Sequence, residues 1–206
     1  MKDVVEIAEA SLEEIRRLCD VSALLDDEER NRAARFRSVE ARDRFVGGRA
    51  LLKTLLGASL QRPAASVRVR VEPDGRPVLL DPEPGVEFSI SHSGERVVVA
   101  WADRVVGVDI ERLRPLPGAL DLARRFFDAG EAASLEKEPV ERRSAAFLEL
   151  WTRKEALLKA RGIGLAAGLA APLGANGELD VRPLLVSEGY VGAIAARGHE
   201  WSVARR

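Results

Sequence analysis

The chain has 206 residues, 32 basic and 33 acidic, for a formal net charge of -1, with 5% aromatic residues and one cysteine, Cys19. That length holds one large domain or two halves of about 100 residues each. The balanced charge excludes a broad attraction to nucleic acid or anionic membranes, the few aromatics leave little for base stacking, and Cys19 alone excludes a disulfide framework or a multi-cysteine metal site.

The first residues, MKDVVEIAEA, carry acids where a signal peptide needs an apolar core, and no apolar run approaches the roughly 18 residues of a membrane span. A soluble, cytoplasmic protein is the expectation, with no nucleic-acid or membrane partner. Val4 to Ala8 reads as a strand, and Ser11 with Glu14 three residues later predicts a capping box for a helix to about Leu18. A second helical start falls near Asp26. From Asp27 to Gly57 the apolar residues Phe36, Phe45, Leu51, Leu52, Leu55 and Leu56 recur at helical spacings, with Gly47-Gly48 loosening the middle and Gly57 as a stop. Val67 to Val71 alternates as a half-buried strand, and Asp74-Gly75 is a turn signal. Val86 to Ser91 and Val97 to Ala102 are further strands, with Ser91-His92-Ser93-Gly94 as the turn between them. Val105 to Glu111 is another strand, after which Pro115 and Pro117 interrupt the chain before a helix containing LARRFF. Pro139 suits the first turn of a long helix ending at Arg161, about 33 Å long, with Gly162 as its cap. Strands near Leu179 to Val186, Tyr190 to Ala196 and Glu200 to Ala204 complete the order.

Ala50-Leu-Leu-Lys53 recurs as Ala156-Leu-Leu-Lys159, and at the same offset Phe45 falls on Trp151 and Arg49 on Glu155. Each half also runs strand, helices, then three strands. ALLK is a common helical string, so chance remains open; a true repeat would give two α/β halves facing each other across a cleft.

The long helix carries Phe147, Trp151, Glu155 and Lys159 at four-residue spacing, so an aromatic face delivers an acid and a lysine to one place. Phe147 and Trp151 are the expected anchor of this helix on the strand of Asp109 and Glu111. Those two acids project from one strand face, while Val108 and Ile110 take the other. Two neighbouring acids repel unless something positive lies between them. With Glu155 as a third carboxylate, the set suits an octahedral Mg2+, and a chain poor in Cys and His disfavours zinc. Ser91, His92 and Ser93 offer donors to an anion, and Arg32, Arg42, Arg44, Arg49 and Arg76 offer forked donors suited to phosphate. Each also has a plainer reading, as a solvent-facing edge, a surface ion pair, a turn histidine or a solvated basic face.

Taken together, F-S-I-S-H-S (88–93), V-G-V-D-I-E (106–111) and F-x-x-x-W-x-x-K-E-A-x-x-K-x-x-G-x-G-L (147–165) resemble, in order and spacing, the signature motifs of 4′-phosphopantetheinyl transferases of the surfactin-synthetase-activator class. The resemblance extends to D-G-R-P (74–77), A-R-R-F-F (123–127) and R-x-R-F-V-x-G-R (42–49), and so covers residues 30 to 165. It implies an α+β fold of α/β layers, two pseudo-twofold halves (1–104 and 105–206) with coenzyme A in the cleft between them. It also implies that a carrier-protein serine attacks the phosphorus nearer the pantetheine and that 3′,5′-ADP departs. Asp109, Glu111 and Glu155 would hold Mg2+, with Glu155 also able to take the serine proton. His92 and Lys159 would contact the phosphates, with Arg44, Arg49, Arg76, Ser91, Ser93 and Lys154 completing the coenzyme A site. Where some relatives carry lysines before the first helix this chain has Glu29 and Arg32, so only Arg32 serves there. The expected partner is an apo acyl or peptidyl carrier protein whose acidic helix meets Arg124 and Arg125, and a monomer is expected because one chain supplies both walls. A coenzyme A-binding module without catalysis and a Mg2+-dependent phosphohydrolase are the rival readings.

Overall fold

The computed structural model describes residues 3–73, 75–81, 85–163, 169–173 and 177–206. Asp74 of the turn signal and Gly164 and Leu165 of the last motif lie outside the described residues. No helix among those described is long and apolar enough to cross a membrane.

Strand β1 (Val4–Ser11) ends on the residue that caps α1 (Leu12–Leu18): the Ser11 hydroxyl accepts the Glu14 N–H while the Glu14 carboxylate accepts the Ser11 N–H, the expected capping box. After a short α2 (Val21–Leu24), the region read as helical from Asp27 to Gly57 divides into α3 (Asp27–Ala34) and α4 (Val39–Ser59). The division comes at Ser38, whose hydroxyl accepts the Ala41 N–H and starts a new helix. Gly47 and Gly48 do not loosen α4. A Cβ at Gly47 would stand 2.6 Å from Leu12 Cδ2 and one at Gly48 3.1 Å from Ile90 Cδ1, so the pair seats α4 against α1 and the sheet.

The remaining strands of the first half are β2 (Val69–Val71), β3 (Pro77–Leu79), β4 (Glu87–Ser93) and β5 (Arg96–Ala102). His92 and Ser93, expected in a turn, belong to β4, because Ser93 pairs with Arg96 and leaves only Gly94-Glu95 as the hairpin loop. Gly94 there has φ 54°, the conformation a two-residue II′ turn asks of its first central residue. The second half follows with β6 (Val106–Arg112), α5 (Ala119–Phe126), α6 (Ala129–Glu136), α7 (Arg143–Arg161), β7 (Leu179–Leu184), β8 (Tyr190–Arg197) and β9 (Ser202–Arg205). Helix α7 starts at Arg143 rather than at Pro139, whose carbonyl instead accepts the Arg142 and Arg143 N–H groups in a preceding turn. Its other end is as expected: Gly162 takes φ 65°, and the N–H groups of Gly162 and Ile163 return to the carbonyls of Lys159 and Leu158, a Schellman closure.

The strands form a sheet of order β4-β5-β1-β9, a second of order β6-β8-β7, and a β2-β3 pair. The triplets β1-β5-β4 and β6-β8-β7 share one pattern, in which the first strand of a half pairs antiparallel with its hairpin's later strand. The chain thus has the expected α+β layers in two related halves. One strand departs from that plan: β9 leaves its own half and adds parallel to β1, covering an edge that would otherwise stay open.

Alternation places the two cores. Val97, Val99 and Trp101 of β5 face α1 and α4, while Val98, Ala100 and Ala102 face β6 together with Val108, Ile110, Ile194 and Trp201. A strand buried on both sides reads as an unbroken apolar run, hence VVVAWA.

Candidate active site

The seam between the halves is where β4 lies beside β6 and α7 crosses over β6. Gly107 sets that crossing. A Cβ on it would lie 2.0 Å from the Ala156 carbonyl oxygen and 2.5 Å from the Ala160 nitrogen, so only a glycine lets the helix backbone rest on the strand. Glu155 and Lys159, neighbours of those two alanines, are thereby brought to Asp109. Phe147 and Trp151 anchor the helix on its other side, Phe147 stacking on Phe127 at 5.1 Å and Trp151 tilted to it at 6.3 Å, against α5 and α6 rather than on β6 as expected.

Asp109 is 5% exposed. Its Oδ1 accepts from Ser91 Oγ at 2.7 Å and from Lys159 Nζ at 2.8 Å, and the same ammonium donates to the Val108 carbonyl at 3.1 Å. Its Oδ2 is buried without a hydrogen-bond partner. Burial pushes the Asp109 carboxyl up, and Lys159 pulls it back. Glu111, two residues along the same face, accepts from Ser93 Oγ at 2.8 Å and Arg114 at 3.0 Å. Glu155 is 8% exposed and is raised to about 7, first by burial and then by the Asp109 charge, with Glu111 adding to the effect and Lys159 opposing it.

Among the described residues no three His, Cys, Asp or Glu side chains are grouped as a ready metal cage. The donors nonetheless fit a hard divalent cation. All are carboxylate oxygens, one is buried with no partner, and the raised Glu155 pKa is of the kind that a nearby cation lowers. Asp109, Glu111 and Glu155 are the residues that could hold it.

His92 is open to solvent on one side. Its pKa is pushed down, first by burial on the others and then by the charges of Lys159 and Arg44, with Glu111 opposing. The two nearby cations make this a place for an anion. The adjoining cleft, about 320 Å3, takes Arg76, Phe88 and Ile90 from the first half and Glu155, Lys159 and Ile163 from the second. Arg76 rests on the end of α7, where a Cβ on Gly162 would approach its Nη1 to 2.8 Å, and it pairs with Glu87 at 3.3 Å. A larger groove of about 1010 Å3 lies between α6, α7 and β7 and holds none of the three acids.

Two expected ligand residues point elsewhere. Lys154 is 2% exposed and pairs with Glu131 at 2.6 Å, while donating to the carbonyls of Leu169 and Ala171. Its ammonium is consumed by groups on α6 and the chain after α7. Arg49 is 6% exposed and faces Glu29 at 3.4 Å over the Phe45 ring; Glu29, noted as a departure from relatives, also takes Lys53. Burial lowers the Arg49 pKa, with Glu29 opposing and Arg32 adding to the shift. The echo that set Lys53 on Lys159 therefore joins two lysines with different partners. Ser91 and Ser93 bond the acids. Arg124 and Arg125 are exposed on α5, one paired with Glu136 at 2.7 Å and the other over the Phe126 ring. Sequence reasoning missed Gly107, Ser89 and Arg114. The alternation S-x-S-x-S in β4 was the available signal for the serines, since it sets three hydroxyls on one face.

Comparison with known proteins finds likeness in both halves. Residues 14–104 match the family model described as 4′-phosphopantetheinyl transferase, N-terminal, and residues 105–187 that of the 4′-phosphopantetheinyl transferase superfamily. The chain is 35% identical over 197 residues to 4′-phosphopantetheinyl transferase HetI of Nostoc sp., covering 89% of this chain and 83% of that protein. It is 36% identical over 158 residues to psf-1 of Bacillus pumilus, covering 75% and 66%, and 30% identical over 147 residues to Sfp of Bacillus subtilis, covering 71% and 64%. With likeness that runs through both halves and over the seam they share, the chain belongs to the 4′-phosphopantetheinyl transferase family.

Proposed function

We propose that this protein transfers the 4′-phosphopantetheine group of coenzyme A to a serine of an apo acyl or peptidyl carrier protein, with Mg2+, and releases 3′,5′-ADP. The observation that carries this reading is a buried acid cluster at the seam, with one Asp109 oxygen unpartnered and the other bonded to Lys159. Names of relatives support the transferred group, and the unpartnered acid oxygen supports the cation. The seam divides the chain into halves 1–104 and 105–206, and a monomer suffices because both cleft walls come from one chain.

His92, Lys159 and Arg44 suit the phosphates of coenzyme A, and Arg76 offers a further forked donor at the cleft. Asp109, Glu111 and Glu155 would hold Mg2+, which when bound offsets the negative charge of the pyrophosphate. The carrier serine oxygen attacks the phosphorus nearer the pantetheine, the bond from that phosphorus to the bridging oxygen breaks, and the oxygen leaves on 3′,5′-ADP. Lys159 donates to that oxygen as charge grows there; its tethers to Asp109 and Val108 aim it before substrate arrives. Glu155 has metal binding as its first role and, with a pKa near neutrality, takes the serine proton directly or through water as its second.

The test incubates the protein with Mg2+, coenzyme A and a panel of apo-carrier proteins. A carrier heavier by about 340 Da, with 3′,5′-ADP released only when carrier is present, is the expected result. Nucleotide release without carrier would instead mean hydrolysis. For the carrier dock, Arg124 and Arg125 offer exposed charge to an acidic helix. Reversing both to Glu should raise the KM for carrier several-fold and leave that for coenzyme A unchanged; equal KM values for carrier would remove α5 from the dock.

A further inference from the structure

Strand β6 pairs with β8 along one edge, and among the described residues its other edge pairs with no strand backbone but meets a row of side chains from β4. Ser89, Ser91 and Ser93, successive outward positions of β4, accept the backbone N–H groups of Val108 at 3.0 Å, Ile110 at 3.4 Å and Arg112 at 3.0 Å. Hydroxyls thus replace a backbone ladder across the seam. A hydroxyl also has a proton to give. Ser91 gives its proton to Asp109 Oδ1 and Ser93 to Glu111 Oε2. At the third rung the matching position on β6 is Gly107, which has no side chain to receive one.

We propose that Ser91 and Ser93 are positioning residues that aim the Asp109 and Glu111 carboxylates at the divalent cation, and that Ser89 supports the seam without aiming an acid. Each hydroxyl fixes one oxygen of its acid and leaves the other outside that bond; for Asp109 that other oxygen is the buried atom without a partner. Acids on a strand facing a helix have rotamer freedom, and a hydrogen bond from outside the ligand set removes it. This proposal rests on the metal reading given above. It also differs from the expectation that Ser91 and Ser93 contact coenzyme A, because each proton is already given to a carboxylate.

Ser89 provides an internal control, since it accepts a β6 N–H as the other two do and lines the cleft, but gives no proton to Asp109 or Glu111. The experiment titrates coenzyme A-loaded protein with Mg2+ calorimetrically, for wild type, Ser89→Ala, Ser91→Ala, Ser93→Ala and Ser93→Thr, and records the Tm of each without Mg2+. Ser91→Ala and Ser93→Ala should each weaken Mg2+ binding about 10-fold or more. Ser89→Ala should lower Tm yet keep wild-type Mg2+ affinity, and Ser93→Thr, which keeps the hydroxyl, should keep the affinity too. Wild-type affinity in both Ser91→Ala and Ser93→Ala overturns the proposal while leaving the metal reading intact. Equal weakening in Ser89→Ala overturns it as well, because the effect would then belong to the seam. Absence of Mg2+ binding in the wild type would overturn the metal reading and this proposal with it.

Discussion

Glu155 sits where hydration is lost and two other acids are near, and its pKa rises from an ordinary 4.5 to about 7. In the cation-free protein the folded state therefore holds a proton that the unfolded chain releases. The stability this group contributes is complete below 4.5 and is lost as pH rises through about 7. The Tm of the cation-free protein should fall between about pH 5 and 8, and Glu155→Gln should flatten that slope. Added Mg2+ competes with the same proton, so its apparent affinity should climb over the same interval. A slope unchanged in Glu155→Gln would remove this carboxyl as the source. The acids were legible in the sequence because two short-range rules place them: alternation in a strand for Asp109 and Glu111, and four-residue spacing in a helix for Glu155 and Lys159. Lys154 and Arg49 were misread for the opposite reason. A long side chain can turn toward the cleft or away from it, and the deciding partners, Glu131 and Glu29, come from other helices.

Among the elements, α7 governs the site through one contact. Its backbone passes over Gly107 so closely that Gly107→Ala must push helix and strand apart. That substitution should cost about 3 kcal/mol in denaturant unfolding. It should also lower kcat by more than stability alone explains, since Glu155 and Lys159 ride on the displaced helix; full activity in a folded Gly107→Ala protein would show that the close approach is not what positions them. The helix and its glycine cap were readable from periodicity and Gly162, whereas its start was not. Proline is tolerated in a first helical turn and in the turn ahead of one, and the hydrogen bonds to the Pro139 carbonyl, not its ring, decide between them. The strand extension through His92 and Ser93 was hidden in the same way, since the hairpin's register is fixed by Gly94 and by the partner strand.

At the scale of the molecule the two halves hold together by unlike devices: a shared core between β5 and β6, serine hydroxyls along the edge of β6 that faces β4, and β9 laid against β1. The two-half plan was legible from element order, because each half repeats a strand, helices and a hairpin. The crossing of β9 was not, as a short strand carries no mark of which sheet it joins. Deleting residues 202–206 removes the Arg206 pair with Glu6 and reopens the β1 edge. The shortened protein should lose several degrees of Tm and aggregate more readily on heating; an unchanged melting profile would mean that β9 adds nothing to the first sheet.

The position of β9 also bears on how the protein is made. The first sheet needs a strand encoded some 100 residues after β5, so on the ribosome its β1 edge stays uncovered for about 5–20 s at ordinary elongation rates. During that interval the nascent chain presents unpaired backbone to its neighbours and to chaperones. Slowed translation of the second half should therefore lower soluble yield more than slowed translation of the first.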